Sequence, residues 1–370
     1  MILTIRPGEP LGRALGRLAG ALLGRAADAL NDEREQASER IHVMRTSLKR
    51  VRALMRLARR LARPKERREL RRAERRLRDL ARHTATVRDA EVVVQTLDGV
   101  IAAQPGVVKP KTVEQVRREL LERFRRAEQV FHAPEPAVGA RRPADDRLLA
   151  EPGRASLRAL AGLLMQERRL TDAWALSRPR SWSKAADRIA DGMTRTYRRA
   201  RRYMSRAYNG VAAQQLTGQA KKTAAAAHDW RQTGAAFHEW RKAVKAHRHQ
   251  LHLLSDTWPV WVTARLPELE RLGQLLGEEH DLTVLSQTLS ACPTCFGDPL
   301  QLESVLAVLA ARQQQLRDEA RPLGETLFRQ RTRLFRRQVH EGMRPTHAER
   351  PAASGAVPRS RGGEAKLTAV

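Results

Sequence analysis

Aromatic side chains are scarce in this sequence: Phe, Trp and Tyr make up 4% of its 370 residues. Any core must be built from Leu, Ala and Val, and a nucleic-acid reader that stacks bases on rings is disfavoured. Two cysteines exclude a disulfide framework and suit a reducing compartment. Those two, Cys292 and Cys295, form a lone CxxC without a second pair or a histidine at zinc-finger spacing, which argues against a metal or redox role. Period-two alternation of β-branched residues is nearly absent, so no substantial sheet is expected. No run reaches the ~18–20 apolar residues of a membrane span. The stretch from Met1 to Gly20, broken by Pro7, Pro10, Arg13 and Arg17, lacks the apolar centre of a signal peptide. A cytoplasmic protein without membrane insertion is the expectation. P-loop, GxSxG and HExxH patterns are missing, as are acids paired in a catalytic setting. No catalytic residue, cofactor or metal ligand is therefore expected.

What the chain does have is positive charge. Its formal net charge is +29 with a pI near 11.5, supplied almost wholly by arginine. Such a field repels itself and attracts phosphate-rich partners: nucleic acid, polyphosphate or an anionic surface.

Apolar spacing predicts an all-α fold, with helices near 9–30, 35–62, 65–82, 87–103, 112–131, 154–175, 184–208, 230–256, 263–279, 281–291 and 299–341. Four prolines and two adjacent aspartates mark 132–153 as a linker. Beyond 342 the Pro/Gly/Ser/Arg-rich sequence without periodicity predicts a disordered tail, 342–370.

A repeat organises the rest. His42, Arg45, Lys49 and Arg52 follow H-x2-R-x3-K-x2-R, and so do His238, Arg241, Lys245 and Arg248. Further along, Asp89, Val92, Gln95, Thr96 and Leu97 match Asp281, Val284, Gln287, Thr288 and Leu289 at identical internal spacing. Two ordered motifs at nearly one offset point to a duplicated helical unit, with halves near 1–135 and 154–341.

On an α-helix the offsets 0, +3, +7 and +10 fall within an arc of ~80° and span ~15 Å. Each motif is thus a single stripe, extended in the first copy by Arg56 and Arg63. The opposite face carries Met44, Leu48, Val51, Met55 and Ala58 in the first copy and Trp240, Val244, Leu251 and Leu254 in the second, a surface suited to packing. Arginine forks match pairs of phosphoryl oxygens, lysine adds a compact charge, and histidine donates a hydrogen bond in either charge state. Residues 40–82 hold 18 Lys/Arg against 4 Asp/Glu. A stripe so poorly balanced is solvated or occupied by an anion, and recurrence of its spacing favours the second. Tyr197, Arg198, Arg201 and Arg202 could add to the basic surface or be plain solvated residues. His247 falls on the apolar side and reads as packed, whereas His249 and His252 lie near the stripe. Asp89 and Asp281 read as helix caps or arginine partners.

At these residues the sequence resembles the CHAD family, the conserved histidine α-helical domain proteins. The matching segments are IHVMRTSLKRVRALMRLARR (Ile41 to Arg60) and FHEWRKAVKAHRHQLHLL (Phe237 to Leu254), with VRDAEVV and EHDLTVL after them. The resemblance implies a CHAD domain over 1–341: two tandem helical bundles related by pseudo-twofold symmetry around a basic central groove. It also implies non-enzymatic binding of inorganic polyphosphate, often at polyphosphate granules. The implied contacts are His42, Arg45, Lys49, Arg52, His238, Arg241, Lys245 and Arg248, with Arg50, Arg56 and Lys242 in support. Family members usually carry an apolar residue at His247 and often an acid at His252. No CYTH-type triphosphate-processing segment precedes the helices, so the family's associated hydrolase chemistry has no support in this sequence.

Two other functions fit the composition. A nucleic-acid binder would suit the charge, but no helix-turn-helix or other reader motif is evident. A metal-dependent phosphohydrolase would need several imidazoles to converge, whereas each motif histidine has Arg and Lys beside it.

Overall fold

In a computed structural model the chain is all-α. The structure describes residues 3–6, 9–103, 106, 109–132, 156–171, 182–216, 224–291 and 299–343. The expected linker between the halves, the expected tail beyond Met343, and Cys292 and Cys295 lie outside these residues. The helices are α1 (Leu11–Asn31), α2 (Ala37–Leu61), α3 (Pro64–His83), α4 (Ala85–Ala103), α5 (Pro110–His132), α6 (Leu157–Leu170), α7 (Trp182–Leu216), α8 (Ala224–His252), α9 (Pro259–Ser290), α10 (Pro299–Phe328) and α11 (Thr332–Gly342). Among the described residues there is no strand.

Local chemistry sets several of the boundaries. Pro64 and Pro259 open α3 and α9 at a position where a missing N–H costs nothing. The Ser156 hydroxyl accepts from the Ala159 N–H at 3.1 Å and caps α6. The structure departs from the apolar periodicity at two places. First, α9 runs unbroken through Glu278, Glu279 and His280, where the sequence suggests a break. Leu276, Leu282, Leu285 and Leu289 keep the buried face continuous, and Glu279 is held by Arg317 at 2.6 Å instead of ending the helix. Second, the expected single helix over 299–341 is two, because the Gln330 carbonyl accepts from the Tyr197 hydroxyl at 3.0 Å and the chain turns there into α11.

The helices share one apolar core. α1 packs on α2 and α6, α7 packs on α8 and α11, α4 packs on α5, and α9 packs on α10. The two motif helices, α2 and α8, touch each other, and α4 touches α9. Met44, Leu48, Val51, Met55 and Ala58 of α2 are buried, as are Trp240, Val244, Leu251 and Leu254 of α8. Burial of these faces, at roughly 25 cal/mol per Å² of apolar surface, is what holds the basic faces in place. Gly324 permits one close crossing: a methyl there would stand 2.6 Å from Trp240 Cζ2 and 2.8 Å from Met204 Sδ.

Candidate functional site

The two stripes meet where α2, α4, α8 and α9 come together. Lys49 lies close enough to Arg241 and Lys245 to be repelled by both, and Arg88 of α4 acts on His42, Arg45 and Lys49. Lys49 and Asp89 keep solvent access although burial perturbs both. Groups that are wetted yet closely surrounded by protein make this a partly enclosed patch, a recess between the four helices.

Each cation in the recess is held differently. Arg45 donates to the Ala81 carbonyl at 2.8 Å, across the α2–α3 corner. Arg241 reaches Asp281 at 3.7 Å. Among the described residues, Lys49, Lys245, Arg52 and Arg248 have no carboxylate within ion-pair distance. The Nε atoms of Arg52, Arg241 and Arg248 are buried without a hydrogen-bond partner. An unpaired buried donor of this kind is costly.

The electrostatics reflect the crowding of cations. Burial, then Arg241, Arg45 and Arg88, press the Lys49 ammonium down to about 8. Burial, then Arg241 and Lys49, press Lys245 down to about 7. His42 is lowered by burial and by Arg88, and His238 by burial, Lys242 and Arg241. Burial raises the Asp89 and Asp281 carboxyls, although the surrounding arginines and lysines pull them down.

The supporting residues divide. Arg56 lies 3.8 Å from Glu74, which also pairs with Arg59 at 2.9 Å. Arg50 lies within electrostatic reach of Arg25 of α1 and of Arg248. Lys242 is exposed and paired with Glu239, the same carboxylate that holds Arg199 of α7. His247 is packed between Tyr197, Phe328 and Phe335, as its place on the apolar side predicts. His249 is buried beside Arg248 and Arg50, and His252 pairs with Glu270 at 3.3 Å. Tyr197 is core, stacked on Phe335 at 4.1 Å. Arg198 and Arg201 instead line an open cleft with Arg331, Thr332 and Arg333.

Asp89 and Asp281 lie inside α4 and α9, not at their ends, so neither caps a helix and Asp281 is an arginine partner. Sequence reasoning also missed Arg88 and His280. His280 Nδ1 faces His238 Nδ1 at 3.3 Å, and burial, Arg241 and the neighbouring His238 push its ring down to about 3. The available signal was position: Arg88 and His280 each stand immediately before one of the aligned aspartates.

The CHAD domain family profile matches residues 13–290. The chain belongs to the CHAD domain family. Its match ends at the last residue of α9, so α10 and α11 follow it. Among solved structures, this CHAD domain chain is similar to the crystal structure of the CHAD domain from the plant Ricinus communis. The TM-score is 0.54 and the identity 16%, over 90% of this chain and 96% of that one. That likeness shows the fold. A second similar structure is PptA from Streptomyces chartreusis, at a TM-score of 0.43 and 17% identity, over 90% of this chain and all of that one. No curated protein sequence matches this CHAD domain chain. Among its described residues no group of His, Cys, Asp and Glu converges as a metal site, and no helix is long and apolar enough to cross a membrane.

Proposed function

We propose that this chain binds inorganic polyphosphate in the recess between α2, α4, α8 and α9, and that it does so without covalent chemistry. One observation carries the reading. Two stripes of identical spacing converge, so that Lys49, Lys245 and Arg241 crowd together while the buried Nε donors of Arg52, Arg241 and Arg248 lack partners. A linear chain of phosphates presents oxygens at every unit and can satisfy forks from both helices at once. Displacing its counterions adds a salt-sensitive gain, as for other polyanions. The family resemblance narrows the polyanion to polyphosphate. A duplicated unit is supported by the packing, in which the motif helices α2 and α8 touch each other and the aspartate-bearing helices α4 and α9 touch each other. Such a protein would gather where polyphosphate is concentrated, at granules.

Direct titration with polyphosphate tests the reading. The double variants His42→Ala/Arg45→Ala and His238→Ala/Arg241→Ala should each lose at least about tenfold in affinity, since each deletes charge-assisted contacts worth roughly 1.5–3 kcal/mol apiece. Undiminished binding in both would sink it. Competition with duplex DNA at fixed salt separates the nucleic-acid reading, because no Phe, Tyr or Trp is among the recess residues named above to serve as a stacking platform.

A further inference from the structure

Beyond the recess, the stripe of α2 does not stop. Arg60 lies in line with His42, since eighteen residues is a whole number of turns of an ideal helix, and Arg56 stands about one turn before it. Gly192 lets α7 approach this stretch: a methyl there would come within 2.9 Å of Leu57 Cδ2 and 3.6 Å of Arg60 Cγ. The close approach brings Arg195 of α7 within electrostatic reach of Arg60, and Arg199 within reach of Arg56. Arg67 of α3 adds to the same group. The Nε atoms of Arg60, Arg67 and Arg199 are buried without a hydrogen-bond partner, as are those of Arg52, Arg241 and Arg248 in the recess. Continuity with the recess comes from two sides. Lys49, Arg52 and Arg56 follow one another on a single helix face, and Glu239 holds both Arg199 and Lys242. Glu74 and Glu239 offset part of the charge, and Asp191, itself paired with Arg336, acts on Arg60 from a distance, but Arg52, Arg60, Arg67 and Arg195 have no carboxylate in ion-pair reach among the described residues.

We propose that the recess is one end of a longer anion track, running from Lys49 and Lys245 over Arg52, Arg56 and Arg60 to Arg195 and Arg199 of α7, so that the protein selects long polyphosphate chains over short ones. The inference rests on the polyphosphate reading of the recess. A short oligophosphate occupies the recess alone, whereas a long chain continues over α2 onto α7 and gathers the additional contacts. The track leaves by one side. At the matching end of α8, His252 pairs with Glu270 at 3.3 Å and Asp256 takes the Thr4 hydroxyl, a stretch with acids in place of arginines.

Binding of tripolyphosphate and of long-chain polyphosphate to Arg60→Gln/Arg195→Gln tests the track, with folding checked by thermal melting. Loss of two phosphate contacts should cost the long chain about tenfold in affinity and flatten its log–log salt slope by about one or more. Tripolyphosphate binding should stay unchanged. Arg195→Gln alone, at an exposed position, should give a smaller loss of the same kind if the double variant fails to fold. A control removing the same charge from α5, Arg118→Gln/Arg125→Gln, should leave both ligands unaffected. An undiminished long-chain affinity, an equal loss for both lengths, or the same loss in the α5 control would overturn the track. So would a loss confined to single-stranded RNA. Failure of the recess itself reads differently: tripolyphosphate binding would survive His238→Ala/Arg241→Ala.

Discussion

The helices α2 and α8 carry the same four cations at the same spacing, and are supported by different materials. Behind α2 the buried face is aliphatic, with Met44, Leu48, Val51 and Met55 against the leucines and alanines of α1. Behind α8 it is aromatic: Trp240 and Phe237 meet Tyr208, while Tyr197, Phe328 and Phe335 enclose His247. Every Trp and Tyr of the chain falls after residue 170, and only Phe124 and Phe131 precede that point. In front, the contrast runs the other way. The far end of α2 is arginine-rich, and that of α8 is neutralised by Glu270 and Asp256. A stripe is thus set by residue spacing alone, whereas what anchors it and what extends it vary independently. The binding face and the packing face of a helix answer to different constraints.

The largest expected effect breaks the comparison at the core. Trp240 and Met44 occupy equivalent positions, both buried. Trp240→Ala should destabilise the protein by about 3–5 kcal/mol and Met44→Ala by about 2–4 kcal/mol, because the larger side chain leaves the larger cavity. Urea unfolding of the two variants measures this. Equal losses would mean that the aromatic cluster gives α8 no firmer seat than leucine gives α2.

A second effect compares the lysines. Lys245 at about 7 and Lys49 at about 8 lie well below a free lysine near 10.4. A bound polyanion favours the charged forms and raises both values, so binding takes up protons. Affinity should therefore be greatest near pH 6 and fall by at least about tenfold toward pH 9 as the free-state ammoniums deprotonate. Stability of the empty protein has the opposite sign. The unfolded chain holds these protons more tightly, so the lysine contribution to stability rises with pH above about 7. Lys245→Arg should remove most of the pH dependence of binding, because arginine stays charged throughout. Isothermal titration in buffers of different ionisation enthalpy reads the proton uptake directly. The lysines, more than the histidines, place this dependence near neutral pH, since His42 and His238 are lowered further from an ordinary value of about 6.5.

Much of this was legible in the sequence. Helical periodicity with almost no β alternation gave the fold class, and the stripe was visible because identical polar residues recurred where the apolar face already fixed the phase. Two things were not legible. The continuity of α9 and the break after α10 depend on distant partners, Arg317 for Glu279 and Tyr197 for Gln330, and local spacing is blind to both. The roles of Arg88 and His280 were hidden for the same reason. Nothing in α4 or α9 alone shows that they turn toward α2 and α8, and only the packing of four helices brings them into the recess.

The smallest expected effect sharpens the comparison at that pair. Arg88 acts on His42 in the first half, and His280 contacts His238 in the second. The two nitrogens facing at 3.3 Å can share only one proton. His280 is thus a neutral partner for His238, kept so by burial and by Arg241. His280→Arg would give the second half the cation that the first half has. Affinity for polyphosphate should rise by about threefold, the scale of a partly solvated charge pair below about 1 kcal/mol. The empty protein should melt lower, because the new guanidinium joins Arg241, Lys245 and Lys49 with no added carboxylate. Arg88→His should shift both quantities in the opposite direction. If His280→Arg binds more weakly than the wild type, the contact between His238 and His280 itself orients the ligand-facing ring, and the two halves grip the phosphate chain by different means.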